Sequence, residues 1–307
     1  MPDLLSTVRT FVNTWQCDEN EHLNVQFFTA FAHDASAQLH AALGLGPAAL
    51  CAAGLCVAPV EEHVRYYREL RVEDTVEVRS APVAVDAASL TAYHEIRNAY
   101  DGTVAATVRC VTACRTGAGT AAAWPIAFRD RAQASAIALP AAAQPRSIGR
   151  HGPLPALTLA AAAAHPALHE ISRSLVMPAE CGTDGCMAPR FHLARFSDGG
   201  AHLWHALVFD RAGVRDREQG SVIMEASLTY GRLLPAGSLC VVLSGLLDVT
   251  DKAMHFAHFL FDAETGMLST KSEAVAVFFD QRARRTMAFS AEDRARLAHR
   301  KLSFGQA

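Results

Sequence analysis

A polar loop near the start of the chain carries residue types that can do chemistry on a carbonyl group. Residues 18–24 read Asp-Glu-Asn-Glu-His-Leu-Asn, which places a carboxylate, an amide and an imidazole within five positions. An Asp can attack a carbonyl or activate water, an Asn can orient either partner, and a His can act as a second base. We therefore expect Asp18, Asn20 and His22 to be catalytic.

An apolar helix is predicted to follow this loop directly. From Val25 onwards apolar residues recur at intervals of three and four, and the pattern ends at Gly44 and Gly46. The N–H groups of a helix's first turn, together with the helix dipole, stabilise an oxygen that gains negative charge. We expect the carbonyl oxygen of a substrate to bind at the backbone of Leu23, Asn24, Val25 and Gln26.

A purely structural interpretation of the same residues stays open. In it, Asn24 is only the N-cap of the helix, and Asp18 and Asn20 are loop residues that accept hydrogen bonds from their own backbone. The joint presence of Asp, Asn and His, next to a second carboxylate described below, favours the functional interpretation.

From Val12 through this helix, the chain resembles the first strand, loop and central helix of hotdog-fold acyl thioesterases. The acyl-carrier-protein thioesterases of plants have Asp, Asn, His and a further Asn at the spacing of Asp18, Asn20, His22 and Asn24. In the hydroxybenzoyl-CoA thioesterase group an Asp comparable to Asp18 is the catalytic carboxylate. The resemblance implies an α+β fold with two tandem hotdog domains, in which an antiparallel sheet wraps around a central helix.

Two positions depart from the family pattern, and one further residue matches it. Glu21 stands where many relatives carry Gly, and Val25 stands where a second Asn is common. Residues 65–70 resemble the strand that follows the central helix, where a Glu comparable to Glu69 occurs. Glu69 is therefore the second expected catalytic carboxylate, the alternative being a solvated Glu that pairs with a neighbouring Arg.

Length and composition exclude several classes of protein. A chain of 307 residues suggests about two domains, and a net charge of −3 gives no basic surface for nucleic acid. The longest apolar stretch, residues 154–164, is too short to cross a membrane, and the first residues lack an export signal. We expect a cytoplasmic protein with eight reduced cysteines and with neither metal nor cofactor.

The sequence repeats itself once along the chain. A single shift aligns Phe27 with Phe191 and His94 with His258, whereas a one-residue gap is needed to align Tyr67 with Tyr230. Both halves are predicted to follow one plan of strand, loop, helix and antiparallel strands. The expected domains are a hotdog domain at 1–120, an Ala/Pro-rich linker at 121–165, a second hotdog domain at 166–285 and a helical tail at 286–307.

The plan also predicts individual elements. In the first half the strands are expected near 7–15, 55–70, 74–84, 87–100 and 103–115. In the second half they are expected near 172–178, 221–234, 238–249, 253–262 and 268–280. The second helix, near 189–206, should be shorter or broken because Gly199 and Gly200 interrupt it. A helix at 291–301 should begin from Ser290 as its cap.

The polar residues of the first half do not recur in the second. Asp18, Asn20, His22 and Asn24 align with Gly182, Asp184, Cys186 and Ala188, and Glu69 aligns with Arg232 or Gly231. We expect the first domain to be catalytic and the second to be its degenerate partner in an internal pseudo-dimer. The acyl chain is expected between the two repeats, and further association into a homo-oligomer is left open.

Three functions are compatible with the sequence. The leading hypothesis is hydrolysis of an acyl-CoA or acyl-carrier-protein thioester. A hotdog-type enoyl-CoA hydratase or dehydratase ranks below it, because that family's motif has a Pro between Asp and His and a spacing one residue longer than Asp18 to His22. A non-catalytic acyl-thioester binder is the third.

Overall fold

The chain forms two compact units, Met1–Pro145 and Arg146–Ala307. The structure, a computed structural model, describes residues 4–149, 152–207, 219–280 and 282–303. Each unit is an antiparallel sheet with a central helical segment, as the resemblance implied. Within the described residues, no helix is both long enough and apolar enough to span a membrane.

The described part of the first unit contains five strands and three α-helices. They are β1 Leu5–Phe11, α1 Val25–Ala42, α2 Pro47–Ala52, β2 Leu55–Tyr66, β3 Thr75–Val85, β4 Ser89–Asn98, β5 Val104–Thr116 and α3 Ile126–Ala134. The strands lie in the order β1-β3-β4-β5-β2, with every neighbouring pair antiparallel. Helix α1 packs against this sheet.

Helix α1 forms where the apolar spacing predicted it. Asn24 caps its start, since the Asn24 side-chain oxygen accepts a hydrogen bond of 3.2 Å from the Gln26 N–H. Gly44 follows its end with a φ of +84°, and a Cβ there would lie 2.3 Å from Arg131. The positive φ favours glycine at this position, and the missing Cβ leaves room for the Arg131 guanidinium. The buried face of the helix consists of Phe27, Phe28, Thr29, Phe31, Ala32, Ala35, Leu39 and His40.

The second unit repeats this arrangement. Its elements are α4 Leu159–Ala163, β6 His169–Leu175, α5 Pro189–Asp198, α6 Gly200–Ala206, β7 Gln219–Tyr230, β8 Leu239–Val249, β9 Ala253–Asp262, β10 Leu268–Asp280, β11 Arg285–Thr286 and α7 Ala291–Ala298. The strands of the main sheet lie in the order β6-β8-β9-β10-β7, and β11 pairs with β10.

The predicted break in the second central helix is confirmed at Gly199, between α5 and α6. A Cβ at this position would lie 2.8 Å from the Ile171 side chain and 2.9 Å from the Ile171 carbonyl oxygen. The helix therefore needs glycine where it passes close to β6. Helix α7 begins as predicted, because the Ser290 hydroxyl accepts a hydrogen bond of 3.0 Å from the Asp293 N–H. Part of the expected C-terminal tail, residues 304–307, lies outside the described residues.

The one-residue gap that was needed to align Tyr67 with Tyr230 in the sequence repeat is wrong. Tyr66 pairs with Ala106 and Tyr230 pairs with Thr270, so both strand pairs match at the same shift as the helices, without a gap. A one-residue slip would exchange the two faces of the strand, and Tyr67 is indeed exposed whereas Tyr66 and Tyr230 are buried. The residue opposite Glu69 is therefore Leu233, not Arg232 or Gly231.

Strand β2 ends earlier than expected, at Tyr66 rather than near residue 70. The N–H groups of Tyr67 and Arg68 both donate to the Ala105 carbonyl oxygen, at 2.8 and 3.1 Å, so the regular ladder stops there. Glu69 consequently lies in the loop after the strand. Strand β1 is also displaced, to Leu5–Phe11, because a short turn of 3₁₀ helix occupies Thr14–Gln16.

The segment expected as a linker contributes to the core of the first unit. Trp124 and Phe128 are each 1% exposed, and their rings lie 5.5 and 5.4 Å from the ring of His40 on α1. This part of the segment folds because its large apolar side chains cover the end of α1. Its alanine and proline content alone had indicated only a linker between the two domains. Burial lowers the pKa of His40 to about 4, so its ring is neutral in the cluster.

Trp124→Ala is expected to lower the free energy of unfolding by about 3–5 kcal/mol, because it leaves a cavity under the end of α1. Trp15→Ala is the matched control, since that side chain is 77% exposed and should change stability by less than about 0.5 kcal/mol. Chemical denaturation measures both. Equal effects of the two substitutions would contradict the assignment of residue 124 to the core.

Two buried histidines, at equivalent positions of the two units, predict that the folded protein loses stability in acid. His94 and His258 accept or donate a hydrogen bond of 2.7 Å with Ser80 and Ser244, and burial lowers their pKa to about 3 and about 4. Because the folded rings resist protonation, their contribution is complete above about pH 6.5. It is lost as the pH falls towards about 4 for His258 and about 3 for His94.

Each ring should remove up to about 1.4 kcal/mol per pH unit in that window. Denaturation at several pH values should give a shallower acid dependence for His94→Gln than for the wild type. An unchanged slope would show that this histidine does not titrate on unfolding.

Candidate active site

The polar loop is closed by its own backbone. Cys17 and Leu23 form an isolated bridge, and the Asp18 N–H donates to the His22 carbonyl oxygen at 2.8 Å. The Glu21 N–H donates in turn to the Asp18 carbonyl oxygen at 3.1 Å. The loop is therefore a tight turn that holds Asp18 and His22 at its base.

The Asp18 carboxylate organises this turn. Its Oδ1 accepts hydrogen bonds from the N–H groups of Asn20 and His22, at 2.9 and 3.2 Å. The structural interpretation of Asp18 is thus correct for Oδ1. Its other oxygen, Oδ2, has no hydrogen bond within the described residues. The turn therefore fixes the direction of the carboxylate and leaves one oxygen for chemistry.

His22 meets the second expected carboxylate. Its Nε2 lies 3.2 Å from Glu69 Oε2, and both side chains are largely shielded, at 16% and 18% exposure. The Arg71 guanidinium lies 3.1 Å from the same Nε2 and 3.7 Å from Glu69 Oε2. The ring can donate a proton to Glu69 in one tautomer or accept a hydrogen bond from Arg71 in the other. This trio can therefore hold or move a proton at Nε2.

Arg71 is one of the neighbouring Arg residues that the structural alternative pairs with Glu69, and this pair is present. Its contact with His22 was not predicted from the sequence. Arg71 follows Glu69 by two residues, and an isolated bridge joins its backbone to His22. By contrast, the Arg65 guanidinium donates to the carbonyl oxygens of Ala142 and Gln144, at 3.1 and 3.3 Å. Within the described residues, no cluster of three or more His, Cys, Asp or Glu side chains could hold a metal ion.

The start of α1 offers fewer backbone N–H donors to a substrate oxygen than the sequence predicted. The Leu23 N–H donates to Leu70, the Asn24 N–H to Gln16 and the Gln26 N–H to the Asn24 side chain, at 2.7, 2.9 and 3.2 Å. Of the four predicted donors, only the Val25 N–H has no acceptor within the described residues. The loop's own hydrogen bonds account for this reduction. An oxygen at the helix start would therefore meet the Val25 N–H and the helix dipole.

The second unit has the same loop backbone with other side chains. The Gly182 N–H donates to the Cys186 carbonyl oxygen at 2.9 Å, and the Met187 N–H donates to Leu234 at 2.8 Å, each bond the counterpart of one in the first loop. Asp184 Oδ1 accepts from the Cys186 N–H at 3.0 Å and so replaces Asp18 in organising the turn. The loop conformation is therefore independent of the His22 and Glu69 side chains.

Comparison of the two loops explains one departure from the family pattern. Glu21 has a φ of +62°, and the equivalent position in the second unit is Gly185, with a φ of +74°. A side chain in this left-handed region strains the backbone, and glycine does not. Glu21 is therefore the strained position of the first loop.

Glu21→Gly is expected to raise the free energy of unfolding by about 1 kcal/mol, because it removes this strain. Gly185→Glu is the matched control and should lower the stability by a similar amount. Urea denaturation measures both variants. A destabilised Glu21→Gly protein would mean that the Glu21 side chain makes contacts worth more than the strain.

Comparison with known proteins identifies the family to which the chain belongs. The sequence model of the thioesterase-like superfamily matches residues 12–132 and 176–297, which include the polar loop and its second copy. No curated protein matches the chain in sequence.

Several solved structures are similar in fold to most of this chain. A 12:0-ACP thioesterase from Umbellularia californica is 12% identical, with a TM-score of 0.67 over 88% of this chain and 93% of its own. A protein assigned as an oleoyl thioesterase, from Lactobacillus plantarum, is 12% identical, with a TM-score of 0.66 over 90% and 96%. An acyl-ACP thioesterase from Bacteroides thetaiotaomicron is 11% identical, with a TM-score of 0.61 over 88% and 96%. With a family match over most of its length and two hotdog domains in tandem, the chain belongs to the thioesterase-like superfamily.

Proposed function

We propose that this protein is an acyl thioesterase that hydrolyses an acyl-CoA or acyl-carrier-protein thioester, with the first unit carrying the reaction. The observation that carries the proposal is the contact between His22 and Glu69, 3.2 Å, at the base of the loop that Asp18 organises. Two carboxylates and an imidazole at the start of an apolar helix suit attack on a carbonyl that bears an apolar group.

In the proposed reaction the thioester carbonyl lies at the start of α1. The Val25 N–H and the positive end of the helix dipole stabilise the oxygen as it becomes negative. Asp18 Oδ2 either attacks the carbonyl carbon or takes a proton from the water that does so. The C–S bond then breaks and the thiolate takes up a proton. When water attacks, this step releases the acid directly. When Asp18 attacks, it leaves a mixed anhydride on Asp18, which water then hydrolyses to release the acid.

His22 and Glu69 are proposed to carry out the proton transfers of this reaction. With Nε2 held between Glu69 and Arg71, the ring has an acceptor on one side and a donor on the other. A proton taken from water can pass to the ring and then to the leaving sulfur. Asn20, whose N–H already contacts Asp18, is proposed to orient the carboxylate or the water.

The names of proteins that share the fold support the proposed substrate class. The 12:0-ACP and acyl-ACP thioesterases that share the fold act on carrier-protein thioesters by their names, and we extend acyl-thioester hydrolysis to this chain. All eight cysteines are free thiols, which suits the reducing cytoplasm that we propose as its location.

Asp18→Asn is expected to lower kcat for thioester hydrolysis by about 10²-fold or more with little loss of stability. Asparagine keeps the Oδ1 acceptor of the turn but supplies neither a nucleophile nor a base. The matched control is Asp184→Asn, which changes the equivalent turn of the second unit and should leave turnover at the wild-type level. A wild-type rate for Asp18→Asn would remove this carboxylate from the mechanism.

The proposed function is tested with a panel of saturated and enoyl acyl-CoA thioesters of several chain lengths. Release of free thiol, followed by absorbance with a thiol reagent, is the expected result. Hydration of the enoyl thioesters without thiol release would instead indicate a hydratase. Binding without either reaction would indicate an acyl-thioester binder, and both outcomes would overturn the proposal.

A further inference from the structure

Two hydroxyl groups are buried without hydrogen bonds between α1 and the sheet of the first unit. They are Thr29 Oγ1, on a residue that is 0% exposed, and Tyr66 Oη, on a residue that is 8% exposed. Neither hydroxyl has a hydrogen-bond partner within the described residues. Burying an unpaired hydroxyl is unfavourable, so such groups are rare in a folded core and call for an explanation.

Both hydroxyls belong to the two elements that lead to the proposed active site. Thr29 is four residues after Val25, which places the two residues on the same face of α1, one turn apart and about 6 Å along the helix. Tyr66 is the last residue of β2, three positions before Glu69. The Phe28 ring covers Tyr66 edge-on, with the ring centroids 5.2 Å apart. Thr29 and Tyr66 are therefore each within a few residues of a group assigned to the proposed site, and both are buried.

The surroundings favour a hydrogen-bonding partner over a plain hydrocarbon. Glu62 lies on the same face of β2 as Tyr66 and is 4% exposed. Burial and the negative charge of Glu62 raise the pKa of Tyr66, which keeps its hydroxyl protonated and able to donate. Three groups that can donate or accept a hydrogen bond thus belong to the interior of the first unit.

The second unit lacks most of this set. In the ungapped alignment of the two repeats, Thr29 corresponds to Leu193 and Glu62 to Ala226, while Tyr66 corresponds to Tyr230. The helix and the sheet can therefore pack without a threonine and a glutamate at these positions. As with Asp18, His22 and Glu69, these two polar residues occur only in the unit to which we assign catalysis.

We infer that Thr29 and Tyr66 bind a polar substituent of the acyl group, so that the preferred substrate is a hydroxylated acyl thioester rather than an unsubstituted one. The hydroxyl of the substrate would lie within the first several carbons of the acyl chain, which enters as the Phe28 ring turns aside. This inference rests on the proposed function and names the substrate class of the same site.

The test compares hexanoyl-CoA with β-hydroxyhexanoyl-CoA and ω-hydroxyhexanoyl-CoA. For the wild type, kcat/KM for at least one hydroxylated thioester should exceed that for hexanoyl-CoA by about 10-fold or more. Thr29→Val and Tyr66→Phe, which remove only the hydroxyls, should reduce this ratio towards one. Tyr230→Phe, the matched control in the second unit, should leave the ratio unchanged.

Stability provides a second measurement on the same variants. Because Thr29→Val and Tyr66→Phe break no hydrogen bond within the described residues, their free energies of unfolding should equal or exceed that of the wild type. A marked loss of stability in both would show that the hydroxyls serve the fold and would overturn the inference.

The outcomes separate the inference from the proposed function. Hydrolysis of all three thioesters with equal kcat/KM would overturn the inference and leave the hydrolase assignment intact. If none is hydrolysed, the proposed function fails, and calorimetric binding of the same three compounds decides the inference. Tighter binding of a hydroxylated thioester that Thr29→Val abolishes would support it, and equal binding of all three would overturn it.

Discussion

One backbone hydrogen bond fixes the geometry on which the site depends. The Leu23 N–H donates to the Leu70 carbonyl oxygen at 2.7 Å and so ties the loop before α1 to the loop after β2. These segments are far apart in sequence, yet the bond places His22 against Glu69. Every chemical role assigned to the loop requires this connection, because neither side chain could hold the other in place from a free loop.

The second unit shows what this constraint does by itself. Its equivalent bond, from Met187 to Leu234, forms the same turn with Cys186 and Leu233 at the positions of His22 and Glu69. The turn is thus a property of the backbone and of one Asp acceptor per loop. The proposed catalytic side chains are an addition to a structure that forms without them, so the second copy can lack them and still fold. The strained Glu21, where the second copy has Gly185, belongs to the same addition.

Much of the fold was predictable because local sequence determines it. The start of α1 at Val25, the break at Gly199 and the cap at Ser290 each follow from one or two residues and are confirmed. The early end of β2 was not predictable, since it depends on the Ala105 carbonyl oxygen from another strand. The gap in the repeat failed for a related reason: matching letters favoured Tyr67, whereas the alternation of faces requires Tyr66.

The site was predictable in residue types and less so in contacts. Asp18, His22 and Glu69 could be named from spacing and resemblance, and the structure brings His22 and Glu69 together. Arg71 was missed as a partner of His22 because only the fold places it there. The amide donors were overestimated, because the sequence does not reveal that the loop itself uses the N–H groups of Leu23, Asn24 and Gln26.

The central claim is that two loops share one backbone and only the first performs the reaction. Its most direct test measures thiol release from the best acyl-CoA substrate after the side chains are exchanged between loops. A variant with Asp18→Gly, Asn20→Asp and His22→Cys should lose about 10²-fold or more in kcat. The reciprocal variant, with Gly182→Asp, Asp184→Asn and Cys186→His, should retain wild-type turnover. Wild-type turnover in the first variant, or its loss only in the second, would contradict the account.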